Sequence, residues 1–196
     1  MESYLFIIVL FIIIIYIYFN KANVTYATLP NTNKSYLVRN VPDKEEAVLT
    51  LANMERALKA FVKRLLLDTS VIANEEMYEY IKNINDKIDY VEIQESAADS
   101  KHTSYSLNKG ELLVFCIRSK ETFKIHDMNE LMYVAIHEIA HIGCPEVGHT
   151  DLFFKINTYL IDRAIEYGIY RYIDYGLINK EYCGMTLTVS VASKKF

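Results

Sequence analysis

The segment His137-Glu138-Ile139-Ala140-His141 holds the residues best suited to chemistry. Two histidines four apart on a helix lie about 40° apart around its axis, one turn above each other. Imidazoles so placed can bind one metal ion. Glu138 points about 100° from His137, beside that ion rather than on it, where it could hold a metal-bound water and take its proton. A catalytic zinc takes three protein ligands and leaves a fourth position open. His149 is the candidate third ligand, because Gly143 and Pro145 turn the chain back and seven residues separate it from His141. Asp162 and Glu166, on the following helix, are the alternatives. His102 and His126 have no partner at ligand spacing and read as ordinary loop histidines. One zinc per chain on His137, His141 and His149, with Glu138 as general base, is the expectation.

A helix over about 128–142 must position these groups. Met128, Leu131, Met132, Ala135, Ile136, Ile139 and Ile142 occupy the arc opposite the histidines, so one side is buried and the other faces a cleft. Asp127 can cap its start, with Glu130 three residues on. Gly143 is placed to be a left-handed C-cap, and Pro145 prevents continuation. Glu130 and Tyr133 share the histidine face and could support the ligands. Thr150 can cap a further helix over about 151–167. Cys144 reads as a small buried thiol. A tyrosine could stabilise an oxyanion, and Tyr133, Tyr172 and Tyr182 are the candidates.

Upstream, Asp43 and Glu46 have capping-box spacing at the head of an amphipathic helix running to about Leu67. A second helix spans about 74–88. Val91 and Ile93 alternate in a short strand near 90–94. Residues 103–107 and 111–118 flank Asn108-Lys109-Gly110, a good hairpin turn. A last strand is expected near 185–191. Residues 21–42 are polar and turn-rich and read as a linker, with one short strand near 36–38. The expected domains are therefore 1–20, 21–42 and 43–196, the last catalytic.

Residues 4–19 form an unbroken apolar and aromatic run of sixteen. As a helix it would rise roughly 24 Å, near the ~30 Å of a hydrocarbon core. No positive start or small-residue cut site marks it as a signal peptide. The expectation is one transmembrane helix and a single-pass membrane protein, in a viral or host membrane. Lys21, Lys34 and Arg39 follow the span while Glu2 precedes it, which places the catalytic domain on the cytoplasmic side.

The net charge of -4, with no basic run, argues against a nucleic-acid partner. Cys116, Cys144 and Cys183 include no Cys-x-x-Cys pair, so a thiolate zinc site is not expected. Three reduced thiols are the expectation, with one disulfide plus a free thiol as the alternative.

His137-Glu138-Ile139-Ala140-His141 followed by Gly148-His149-Thr150-Asp151-Leu152-Phe153 resembles the WLM and SprT-like zinc metallopeptidases. These have a third histidine often preceded by glycine and an aromatic four residues later, matched here by Phe153. The match covers roughly residues 134–160. The resemblance implies an α+β, minigluzincin-like domain, with a small antiparallel or mixed sheet packed on helices. It implies zinc on the three histidines, Glu138 as base, and a protein or peptide substrate paired to an edge strand, here residues 112–118. Known members clear proteins crosslinked to DNA. The apolar N-terminal run and the lack of a basic tail set this chain apart, so that substrate class is not carried over. The layout also resembles membrane-anchored proteins of large DNA viruses. The reading is a membrane-anchored zinc metallopeptidase. The alternative is a non-catalytic structural or interaction protein, its zinc site vestigial or closed by Cys144 or Glu146. Oligomeric state is not legible.

Overall fold

Small β-hairpins and amphipathic helices alternate along the chain, whose computed structural model describes residues 6–13 and 23–192. The first hairpin pairs β1 (Val24–Thr28) with β2 (Ser35–Arg39). Three helices follow: α1 (Lys44–Leu67), the short α2 (Thr69–Ile72) and α3 (Glu75–Ile88). Strands β3 (Glu92–Glu95), β4 (Tyr105–Leu107) and β5 (Leu112–Phe115) come next, then α4 (Met128–Gly143) and α5 (Asp151–Glu166). Strands β6 (Lys180–Tyr182) and β7 (Met185–Leu187) close the order as an antiparallel hairpin. This is the α+β class expected from the sequence.

The core forms where the apolar stripes meet. Leu51, Met54, Leu58, Phe61 and Leu65 of α1, Ile81, Ile84 and Ile88 of α3, and Leu131, Ile136 and Ile139 of α4 are buried together, with Leu113 and Phe115 of β5. Their steps of three and four residues are what a helix needs to show one apolar face. Helix α4, which bears the histidine pair, thus packs against α1, α3, α5 and β4.

The three-stranded sheet has the order β3-β5-β4, with β5 parallel to β3 and antiparallel to β4. Residues 112–115 are therefore central. The edge beside α4 is β4, which corrects the expectation that 112–118 forms the edge. The 108–110 turn is as expected, and Asn108, Lys109 and Gly110 all have positive φ, at 48°, 56° and 102°.

Several local expectations are also corrected. Gly143 is the last helical residue, not a left-handed cap; the C-cap is Cys144, with φ -72°. Glycine is required at 143 because a Cβ there would lie 2.9 Å from the Tyr80 carbonyl oxygen and from Ile84. Asp43 makes no capping hydrogen bond; its carboxylate pairs with Arg118 instead. Cys116 and Cys183 form a disulfide and Cys144 alone is a free, buried thiol, so the three-thiol expectation gives way to its alternative. The segment 21–42 contains β1 as well as the strand expected near 36–38.

The N-terminal transmembrane helix is not upheld. Among the described residues no helix is long and apolar enough to cross a membrane. Residues 6–13 of the apolar run are described, and they are helical. The remainder of 4–19 lies outside the described residues. The single-pass location and the cytoplasmic placement fall with that helix.

Candidate metal centre

Asp127 caps α4 by accepting a hydrogen bond from the Asn129 N–H at 2.9 Å. Buried Leu131, Ala135, Ile136, Ile139 and Ile142 fix the helix rotation, which turns His137 and His141 to a cleft. Thr150 caps α5 by accepting from the Phe153 N–H. That cap sets the start of α5 so that His149, one residue earlier, meets the same cleft.

The ligand nitrogens of His137, His141 and His149 all lie within 4.8 Å of one another. His137 Nε2 and His149 Nε2 are 3.0 Å apart. Two neutral imidazoles at that distance share an N–H···N hydrogen bond or point two lone pairs at one cation. Zinc–nitrogen bonds of about 2.0–2.1 Å in a tetrahedron separate neighbouring donors by roughly 3.3 Å, so the donor set fits. The three residues can hold one metal ion. Asp162 and Glu166 do not join the cluster, and Glu166 accepts from Arg163 at 2.6 Å.

Phe153 backs the centre. It is fully buried, stacks on His141 at 4.1 Å between centroids, and meets His137 and His149 at 4.9 Å each. One aromatic ring thus orients all three ligands. This gives the aromatic at 153 a physical role.

Burial holds the His137 imidazole down to about 3, helped by His141 and His149. Burial, His149 and Lys109 hold His141 down to about 4. Both rings are neutral at pH 7, the form that binds metal. Glu138 is 4% exposed, and burial pushes its carboxyl up to about 8. A cation beside it would draw that value down again.

The cleft has a volume of about 430 Å³; besides His137, Glu138, His141 and His149 its walls include Ser104, Ser106 and Lys109. Sequence reading missed these three. Ser104 and Ser106 sit two apart on and beside β4, and an alternating hydroxyl pair next to a hairpin turn was the available signal. None of the three candidate tyrosines is part of the cleft wall. Tyr182 is joined to it, since its hydroxyl lies 2.8 Å from Ser104 Oγ. The Tyr133 hydroxyl donates to the Val189 carbonyl and accepts from the Val191 N–H. Tyr172 lines a different cleft, with Tyr170 and Arg171. Glu130 is buried against Lys180 and His126, so it anchors the C-terminal hairpin. His126 stacks on Tyr182 and His102 sits beside Tyr105; neither reaches the ligands.

No family model matches the chain. It is 40% identical over 167 residues to uncharacterized protein R325 of Acanthamoeba polyphaga mimivirus, covering 85% of this chain and 84% of that protein. It is also 41% identical over 88 residues to uncharacterized protein 042R of Invertebrate iridescent virus 3, covering 45% of this chain and 50% of that one. Among solved structures it is similar to Wss1 from Saccharomyces cerevisiae, 22% identical with a TM-score of 0.35, over 48% of this chain and 83% of that one.

Proposed function

The chain belongs to the same protein family as the mimivirus protein R325, and from the geometry of its histidine cluster we propose that it is a zinc-dependent metallopeptidase. His137, His141 and His149 hold the metal and Glu138 is the general base. One observation carries the reading. Three imidazoles converge in a cleft that Glu138 also lines, and among the described residues no fourth His, Cys, Asp or Glu joins them. Structural zinc sites are closed by four protein ligands, whereas catalytic sites keep one position open. Cys144 and Glu146 could have closed the site, but neither belongs to the cluster. That argues against the closed, structural form of the site.

Bound zinc would supply Lewis acidity at the substrate carbonyl and acidify water. Glu138 takes the proton of the attacking water on a carboxylate oxygen and hands it to the departing amide nitrogen. Its burial suits a group that must keep a proton between those transfers. Phe153 holds the imidazoles in place and closes their back to water. Strand β4 is paired on one side only and its residues wall the cleft, so an extended peptide can lie along it. The substrate class is therefore protein or peptide, with no nucleic acid expected.

The test is zinc content and peptide cleavage by the purified chain. One zinc per chain is expected, with cleavage of an unfolded protein that stops on chelation and returns with zinc. A folded chain that takes up no zinc would sink the proposal.

A further inference from the structure

We propose that Lys109 is a positioning residue for the metal centre: its ammonium clamps the loop that carries His149 and so holds the third ligand beside the other two. This rests on the metal-site reading above and adds to it a residue outside the ligand set.

The three ligands are not equally secured. His137 and His141 stand on α4, whose backbone hydrogen bonds fix them. His149 ends an exposed loop, residues 145–149. Gly148 has φ +87°, and nothing lies within 4 Å of where a Cβ would sit. Such a loop keeps one geometry only if something outside it supplies the contacts. Downstream, the Thr150 cap and the rings of Phe153 and Phe154 hold it. Upstream, Lys109 Nζ donates to the Cys144 carbonyl at 2.7 Å and to the Glu146 carbonyl. A cation is well suited to these oxygens, which follow the carbonyl end of α4.

Lys109 is itself fixed. Its backbone is left-handed, with φ 56°. Its carbonyl accepts from Lys87 Nζ at 3.0 Å, and Lys87 lies in the last turn of α3. The adjacent Gly110 lies against Ile142 of α4, where a Cβ would approach to 3.0 Å. The turn is thus seated on α3 and α4, and the lysine stem spans from it to the ligand loop. An ammonium left in solvent would need none of this.

The probe is cobalt(II), whose visible absorption reports the ligand set, added to the full chain. Lys109→Met keeps the stem and loses the charge. It should weaken cobalt binding roughly 10–100-fold, the usual size for groups that orient ligands, with the melting midpoint of the metal-free chain unchanged. Lys109→Arg should restore most of the loss. In a His149→Ala background Lys109→Met should cost nothing further, since the ligand it serves is gone. Wild-type affinity in Lys109→Met, or an equal loss in both backgrounds, would overturn the proposal. Failure of the wild-type chain to bind cobalt would instead remove the metal-site reading.

Discussion

Two buried carboxylates, Glu95 and Glu138, meet opposite treatment. The Glu95 side chain has no exposed surface and is surrounded by donors. The Arg39 N–H and Arg118 Nε each donate to it at 2.7 Å, and Arg39 Nε lies 3.6 Å away. That cluster ties the first hairpin to the sheet and, through Asp43, to the head of α1. Its one loose end is Arg118 Nη2, buried without a hydrogen-bond partner. Glu138 is buried almost as deeply, yet among the described residues no Lys, Arg or His forms an ion pair with it. A closed charge cluster serves the fold. A buried carboxylate without a cation, beside three imidazoles, is what the proposed metal site would use as its base.

That contrast can be broken experimentally. The largest effect is expected at Glu138: Glu138→Gln should lower turnover about 10²–10⁴-fold, the usual worth of a positioned base, while metal content stays at the wild-type level. Glu95→Gln should do the reverse. Removing one partner from a buried ion cluster costs roughly 3–5 kcal/mol, read as a lower urea midpoint, whereas Glu138→Gln in the metal-free chain should not lower it. Zinc itself sharpens the comparison next. At a hundredfold excess over Kd it should stabilise the wild-type chain by about 2.7 kcal/mol and a His137→Ala/His141→Ala chain hardly at all, measured by thermal melting.

The smallest effect lies at Glu55. Burial pushes its carboxyl up, but hydrogen bonds from Lys34, Lys59 and Tyr36 outweigh this, and its pKa ends below the ordinary value. A depressed carboxylate contributes stability above the ordinary carboxylate range and loses it as pH falls through its folded pKa. Glu55→Gln should therefore flatten the acid limb of the stability curve. An unaltered limb would show that Glu55 is not among the groups that set it.

What could be read from residues alone was what local spacing controls. The histidine pair, the Asp127 and Thr150 caps, the 108–110 turn and the apolar stripes of α1, α3 and α4 depend on neighbours a few positions away. What was missed depends on distant partners. Leu112–Phe115 is strand-like on either side of a sheet, and only the return of β3 makes it central. Gly143 looks like a cap until Ile84 and the Tyr80 carbonyl are set against it. Nothing near Cys116 or Cys183 announces their pairing, because the chain between them must fold first. The apolar run at 4–19 met the length rule for a span, but among the described residues no helix is long and apolar enough to cross a membrane.

The Cys116–Cys183 disulfide has a sequence separation of 67. Every proposed ligand, the base and the exposed 145–149 loop fall inside the ring it closes. A proteolytic cut in that loop would leave one covalent molecule rather than two fragments. Both halves of the ligand set would stay tethered, and the damage would show on a gel only after reduction.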